Sequence, residues 1–188
     1  MRSEICGSWC GNILQTGLEG GINMLQLKKA VAKDLEQIMK IYRCAQDYMI
    51  ENGNPTQWGH SYPDASVIRT DIDREICMVI FDETGIHGVC SLLEGIEPSY
   101  EYIEDGHWLN EDPYISIHRM AGDGQVRGLF SFVAGYCKGI SDNIRVDTHA
   151  DNLTMQHLIE KNGFVRCGTV YIRGGSPRIA YQWTKEIQ

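Results

Sequence analysis

Ile144–Gly168, IRVDTHADNLTMQHLIEKNGFVRCG, decides how the chain folds. Ile144 to Val146 reads as a buried strand. Asp151 or Asn152 is placed to cap a following helix, whose inner side takes Leu153 and Leu158. Asn162-Gly163 stops that helix as a left-handed C-cap does, and Phe164 opens a second strand. The unit is strand, short helix, strand.

The spacing of Asn152, Leu158, Glu160-Lys161 and Gly163-Phe164 resembles the N…L-Y-E-K-x-G-F segment of the GNAT superfamily of acetyl-coenzyme A-dependent N-acyltransferases. One position departs from it. Ile159 stands where many members place a tyrosine that protonates the leaving thiolate. Isoleucine cannot donate a proton, so acid catalysis from that position is not expected. Tyr171, on the next strand, is a candidate substitute, its alternative being a core or rim tyrosine. A thiol pKa of roughly 8.5 makes thiolate a tolerable leaving group, at a penalty of about a few kcal/mol at most.

Outward from this unit, the periodicity predicts the rest. A short strand follows Met24. Ala32–Asn52 is a helix with Leu35, Ile38, Tyr42, Ala45 and Met49 on its inner face, and Asp64–Arg74 is a second. Strands are expected at Cys77–Phe81, Gly88–Glu94 and Tyr114–Met120, with an acidic, aromatic insertion at Glu97–Asp112. A helix to about Lys138 precedes the opening unit, and a hairpin of Val165–Arg173 and Arg178–Thr184 closes the chain. This order matches the GNAT layout over residues 24–188. The fold class is therefore α/β of α+β type, a twisted mixed sheet of six to seven strands flanked by about four helices.

Residues 1–23 show neither helical nor strand periodicity. Glu19-Gly20-Gly21 can be encoded by a ribosome-binding sequence lying just upstream of the Met24 codon. The domain is therefore expected to start at Met24, with 1–23 either a translated leader or a true extension.

Composition narrows the function. A hydrophobic content of 43% with four Trp and nine Tyr fits a globular domain. The seven cysteines are scattered without zinc-ligand spacing, which suggests reduced thiols in a cytoplasm and no metal. A net charge of −8 argues against nucleic acid, and no apolar run is long enough to span a bilayer. From Glu75 to His118 there is no Lys or Arg but ten acidic residues. They form either a solvated edge or a field that attracts a cationic amine.

Two further motifs carry chemistry. Ala121–Gly128, AGDGQVRG, joins a strand to a helix, where unpaired N–H groups and the positive end of the dipole suit a pyrophosphate. GNAT members carry Q/R-x-x-G-x-G/A here. Gln125-Val126-Arg127-Gly128 satisfies the first half, and Phe130 replaces the second small residue. The resemblance implies that main-chain groups of Met120, Ala121, Gly124, Gln125, Val126, Arg127 and Gly128 bind acetyl-coenzyme A, with Asn152 on its pantetheine arm.

Strand alternation before the loop puts Ser116, His118 and Met120 on one face and Ile115 and Ile117 on the other. In the family this strand splays from its neighbour where amine meets thioester. An alkyl amine of pKa near 10.4 is neutral about once in 2,500 molecules at pH 7, a cost of about 4.6 kcal/mol. A base therefore helps, and His118 is the leading candidate, with Ser116 positioning a water. His149 follows the next strand and is within reach of the same cleft, but reads better as a helix-approach or solvated residue. Tyr48, Trp58 and Trp108 are expected on the acceptor side. The chain thus reads as a monomeric or homodimeric bacterial N-acetyltransferase acting on a small-molecule or peptide amine. The rival reading is a GNAT-like module that binds coenzyme A without turnover.

Overall fold

Alternation of side chains sets which residues each face of the sheet must bury. A computed structural model describes residues 24–172 and 174–187. The expected leader, 1–23, lies outside them. The described strands are β1 (Gln26–Lys29), β2 (Cys77–Asp82), β3 (Gly85–Glu94), β4 (Ile115–Gly122), β5 (Asn143–Thr148), β6 (Val165–Ile172) and β7 (Ser176–Thr184). They form one sheet in the order β1-β2-β3-β4-β5-β7-β6. Only β4 and β5 pair in parallel; every other neighbouring pair is antiparallel.

The four helices are α1 (Leu35–Glu51), α2 (Ala65–Asp73), α3 (Leu129–Ile140) and α4 (Leu153–Lys161). Ile38, Ile41, Tyr42 and Met49 of α1 recur at helical spacing and are all buried. The Asp64 carboxylate caps α2 by accepting from the N–H groups of Ser66 and Val67 at 2.8 and 3.0 Å. Asn152 caps α4 by accepting from Met155 N–H at 3.1 Å.

Leu153 corrects the expectation for α4. It is 72% exposed, whereas Ile159 is fully buried among Ile144, Val146, Phe164 and Tyr181. Counted from the Asn152 cap, the inward stripe of this helix runs through Met155, Leu158 and Ile159. Full burial of Ile159 contributes about 2 kcal/mol.

Helices α3 and α4 cover one face, packing on Ile115, Ile117, Ile144 and Val146. The opposite face has two covers. Helices α1 and α2 lie over Cys77, Val79, Val89 and Ala121, while segment 97–112 lies over Cys167, Val170 and Ala180. Beneath that segment the Arg145 guanidinium of β5 is sandwiched between the rings of Trp108 and Tyr114, 4.1 Å from each centroid, and donates to Asn110 O. Gln182 and Asn143 extend the clamp through hydrogen bonds to the Asn110 side chain. The insertion is therefore a built cover.

Backbone contact fixes it to β6. Glu104 and Thr169 exchange N–H···O bonds of 2.8 Å, and His107 N–H donates to Cys167 O at 2.9 Å. The chain comes so close at Gly106 that a Cβ there would lie 1.9 Å from Cys167 O. Gly106→Ala should therefore cost about 1–3 kcal/mol through overpacking. Urea unfolding checks this, and an unchanged midpoint would mean the cover is not held against β6.

Candidate active site

The parallel pairing of β4 and β5 runs only from Ile115↔Ile144 to Ile117↔Val146. Beyond that point both strands continue without each other. A cleft of about 1120 Å³ opens at the parting, walled by residues 117–124 on one side and by Val146–Thr148, Asn152 and Met155 on the other. Helix α1 and the segment after it roof the cleft. Tyr48 and Thr154 share a 3.1 Å hydroxyl hydrogen bond, and Asn152 Nδ2 donates to Gln57 at 3.0 Å.

Register explains the shape of β4. Val89 pairs with Ala121 and Ser91 with His118, so two residues of β4, Arg119 and Met120, oppose Cys90 alone. This is a β-bulge, and Arg119 adopts φ +51° within it. The bulge corrects the expected alternation. Met120 packs with Ile115 and Ile117 toward α3, not with Ser116 and His118. Arg119 turns to α2, donating from Nε to Asp71 at 2.8 Å and pairing through Nη2 at 2.7 Å. Burial opposes the charge on Arg119, but the Asp71 carboxylate outweighs it and the guanidinium holds its proton more tightly than usual. The Tyr42 hydroxyl donates to Arg119 O at 3.0 Å, pinning the bulge from α1.

At one end of the cleft, β4 extends through Gly122, so the connection to α3 is residues 123–128, shorter than the expected Ala121–Gly128. Gly124 and Gly128 take φ +77° and +81°, and a Cβ at either would meet nothing within 4 Å. An open, concave backbone results. The first hydrogen bond of α3 runs from Phe132 N–H to Gly128 O, so the N–H groups of residues 129–131 precede the helical ladder. Gly124, Val126, Arg127 and Gly128 line the cleft, as do Met120 and Ala121; Gln125 does not. Phe130 turns its ring into the core beside Phe164.

At the other end, His118 lies between two carboxylates. Its Nε2 is 3.4 Å from Glu97 and its Nδ1 3.7 Å from Asp147. Both contacts are long, and Nε2 has no hydrogen-bond partner among the described residues. The imidazole is the main reason the Glu97 carboxyl is lowered to about 2; partial burial opposes the shift and Ser99 supports it. Tyr100 donates its hydroxyl to Asp147 at 2.7 Å, and burial pushes that phenol well above its usual range, so it stays a donor. Arg178 Nε faces Asp147 at 3.9 Å.

Several expected site residues are elsewhere. Ser116 is fully buried on the His118 face and does not line the cleft. Trp108 is 6% exposed, under Arg145, with its indole N–H donating to Tyr100 O. Tyr171 is bonded to Glu104 on the outer face. His149 accepts from Asp151 N–H and lies off the cleft. Tyr48 and Trp58 do line it, Trp58 packing edge-on against Tyr42 and Tyr62. Of the ten acidic residues between Glu75 and His118, only Glu97 lines the cleft. Glu75 pairs with Lys29 and Asp82 with His87, so the run is not one field.

Asp147 and Arg178 had no place in the sequence reading. Asp147 follows Val146 as His118 follows Ile117, so parallel register and alternation bring them together once β4 and β5 are aligned. Arg178 needed the β5–β7 pairing, which places it next to the Thr148↔Ile179 pair.

No protein-family model matches the chain, nor does any curated protein sequence. Solved structures do. A GNAT-family acetyltransferase from Streptococcus agalactiae is 30% identical over 86% of this chain and 95% of its own, with a TM-score of 0.78. A GNAT-family acetyltransferase from Listeria monocytogenes is 18% identical, covering 89% of this chain and 98% of its own, TM-score 0.64. A GNAT-superfamily phosphinothricin acetyltransferase from Sinorhizobium meliloti, solved with acetyl-coenzyme A, is 16% identical over 85% and 88%, TM-score 0.55. The last two show the fold alone. The chain belongs to the GNAT family of acetyltransferases.

The electrostatics of the cleft give a pH test. Glu97 is lowered in the folded chain, from about 4.3 when unfolded to about 2. Its contribution to stability is thus complete above the unfolded value and lost as pH falls toward 2. The stability gap between the native chain and Glu97→Gln should be fully present at about pH 5 and close as pH falls from 5 to 2. Denaturant unfolding at stepped pH measures it; a gap that stays constant removes the Glu97–His118 interaction from the account.

Proposed function

We propose that this protein transfers the acetyl group of acetyl-coenzyme A directly to a primary amine of a small molecule or peptide within a ternary complex. The observation that carries the reading is His118, set between Glu97 and Asp147 where β4 and β5 part, in one cleft with the glycine loop.

The loop fits the coenzyme. Open φ-positive glycines, the unpaired amides at the start of α3 and Arg127 suit a pyrophosphate. The free edge of β4 beyond Ile117 offers main-chain groups to the pantetheine. Asn152 is already committed to Met155 N–H and Gln57, so its role is to fix the α4 wall.

Glu97, held ionised, receives the acceptor as an ammonium ion. His118, directly or through water, first takes one proton from the ammonium, the freed lone pair attacks the thioester carbon, and the second nitrogen proton passes to water as the tetrahedral intermediate collapses to amide and thiolate. A main-chain N–H at the Arg119–Met120 bulge stabilises the charge that develops on the carbonyl oxygen. Coenzyme A leaves as thiolate, since α4 presents Met155 and Leu158 to the cleft and no proton donor at position 159. Among the described residues no cluster of three or more His, Cys, Asp or Glu could hold a metal, and no helix is long and apolar enough to cross a membrane.

Thiol release from acetyl-coenzyme A against a panel of amines tests the activity. Tight cofactor binding without turnover of any amine would instead favour a coenzyme A-binding module. Gly128→Glu should abolish cofactor binding by calorimetry while the chain stays folded, since it brings a carboxylate and side-chain bulk to a φ-positive position. His118→Ala should lower turnover roughly 10²–10⁴-fold with cofactor affinity nearly unchanged, and should move the acidic limb of the rate profile. A fall below about tenfold with an unmoved limb would leave water as the only proton acceptor.

A further inference from the structure

Behind the glycine loop, a histidine that does not line the cleft joins Asp123, which does, to a second carboxylate, Asp82. His87 Nδ1 is 2.8 Å from Asp123 Oδ2, and its Nε2 is 3.1 Å from Asp82 Oδ1 and 2.8 Å from Thr84 Oγ1. All three acid–base side chains are at least nine-tenths buried. Asp123 is also the first residue of the loop. Its Oδ1 accepts from Gln125 N–H at 2.9 Å, and its own N–H donates to His87 O at 2.9 Å. The ring thus holds the loop by side chain and backbone together.

We infer that His87 is a positioning residue for the cofactor loop: its protonated ring cancels the Asp123 charge beside the pyrophosphate position, so acetyl-coenzyme A binding weakens as pH rises through the ring's ionisation. This rests on the loop assignment made above. Ionised carboxylates only accept hydrogen bonds, so Nδ1 donates to Asp123; at the other nitrogen the Thr84 hydroxyl already donates to Asp82 at 2.6 Å, so Nε2 donates as well, which is the imidazolium form. The charged groups facing the ring are Asp82, at the end of β2, and Asp123, after β4. Burial works against the positive charge, but the bonds to Asp123 and Asp82 outweigh it and raise the ring above its ordinary value.

Loss of the proton leaves two buried carboxylates without a counter-charge, one of them in the loop meant to hold an anion. With a folded value above the usual one, the favourable state is complete at low pH and lost as pH rises.

The test is calorimetry of acetyl-coenzyme A on the full chain from pH 7 to 9.5. Over that range the ligand's thiol is acylated and its phosphates are essentially ionised, their last pKa being near 6. Affinity of the native chain should fall about three- to tenfold, the effect of one charge near an anion site. His87→Gln should bind at the weaker level at every pH. Asp82→Asn keeps a partner for Thr84 but removes one carboxylate from the ring, so its transition should move to lower pH, with turnover at saturating cofactor unchanged. A purely structural role would lower affinity equally at all pH values. A flat native profile, or an unmoved Asp82→Asn transition, overturns the inference even if His87→Gln does not fold. Absence of binding at every pH overturns the loop assignment itself, and the inference with it.

Discussion

Everything at the site depends on β4 and β5 ceasing to pair after Ile117 and Val146. A parallel pair that stayed zipped would bury His118 and Asp147 against each other and leave no edge of β4 exposed. The parting is held open from both sides. On β4 the bulge twists the strand away, and the Asp71–Arg119 pair with the Tyr42 hydroxyl fixes that bend. On β5 the strand keeps its full pairing with β7 through Thr148↔Ile179, so it does not follow.

Truncating one partner of such a buried pair is costly, about 3–5 kcal/mol, because the other charge is stranded. The ion pair between Asp71 and Arg119 is therefore best understood as fixing conformation. It places a non-glycine residue at positive φ, a strained geometry that persists only where its surroundings over-determine it.

Much of this was legible in the sequence. The element order, the Asn152 cap and the Gly163 stop are local, written in residue types with strong preferences, and they appear where the spacing puts them. Failures came where a non-local contact decides. The bulge at Arg119 has no signature in SIHRMAG, so alternation alone puts Met120 on the wrong face, and spacing alone puts Leu153 inward on a helix whose stripe starts two positions later, at Met155. Trp108 resembles a rim aromatic until the Arg145 clamp is known, and that clamp joins residues on two different segments. Asp147 and Arg178 became site residues only through strand register.

The Arg145 clamp has a further optical consequence. Trp108 lies beneath that guanidinium and Trp183 is packed under Lys138, both nearly shielded from solvent. Trp58, half-buried, is the one tryptophan among the described residues that borders the cleft. Indole emission follows local polarity, so the fold separates two indoles whose surroundings are fixed by packing from one whose surroundings include the cleft.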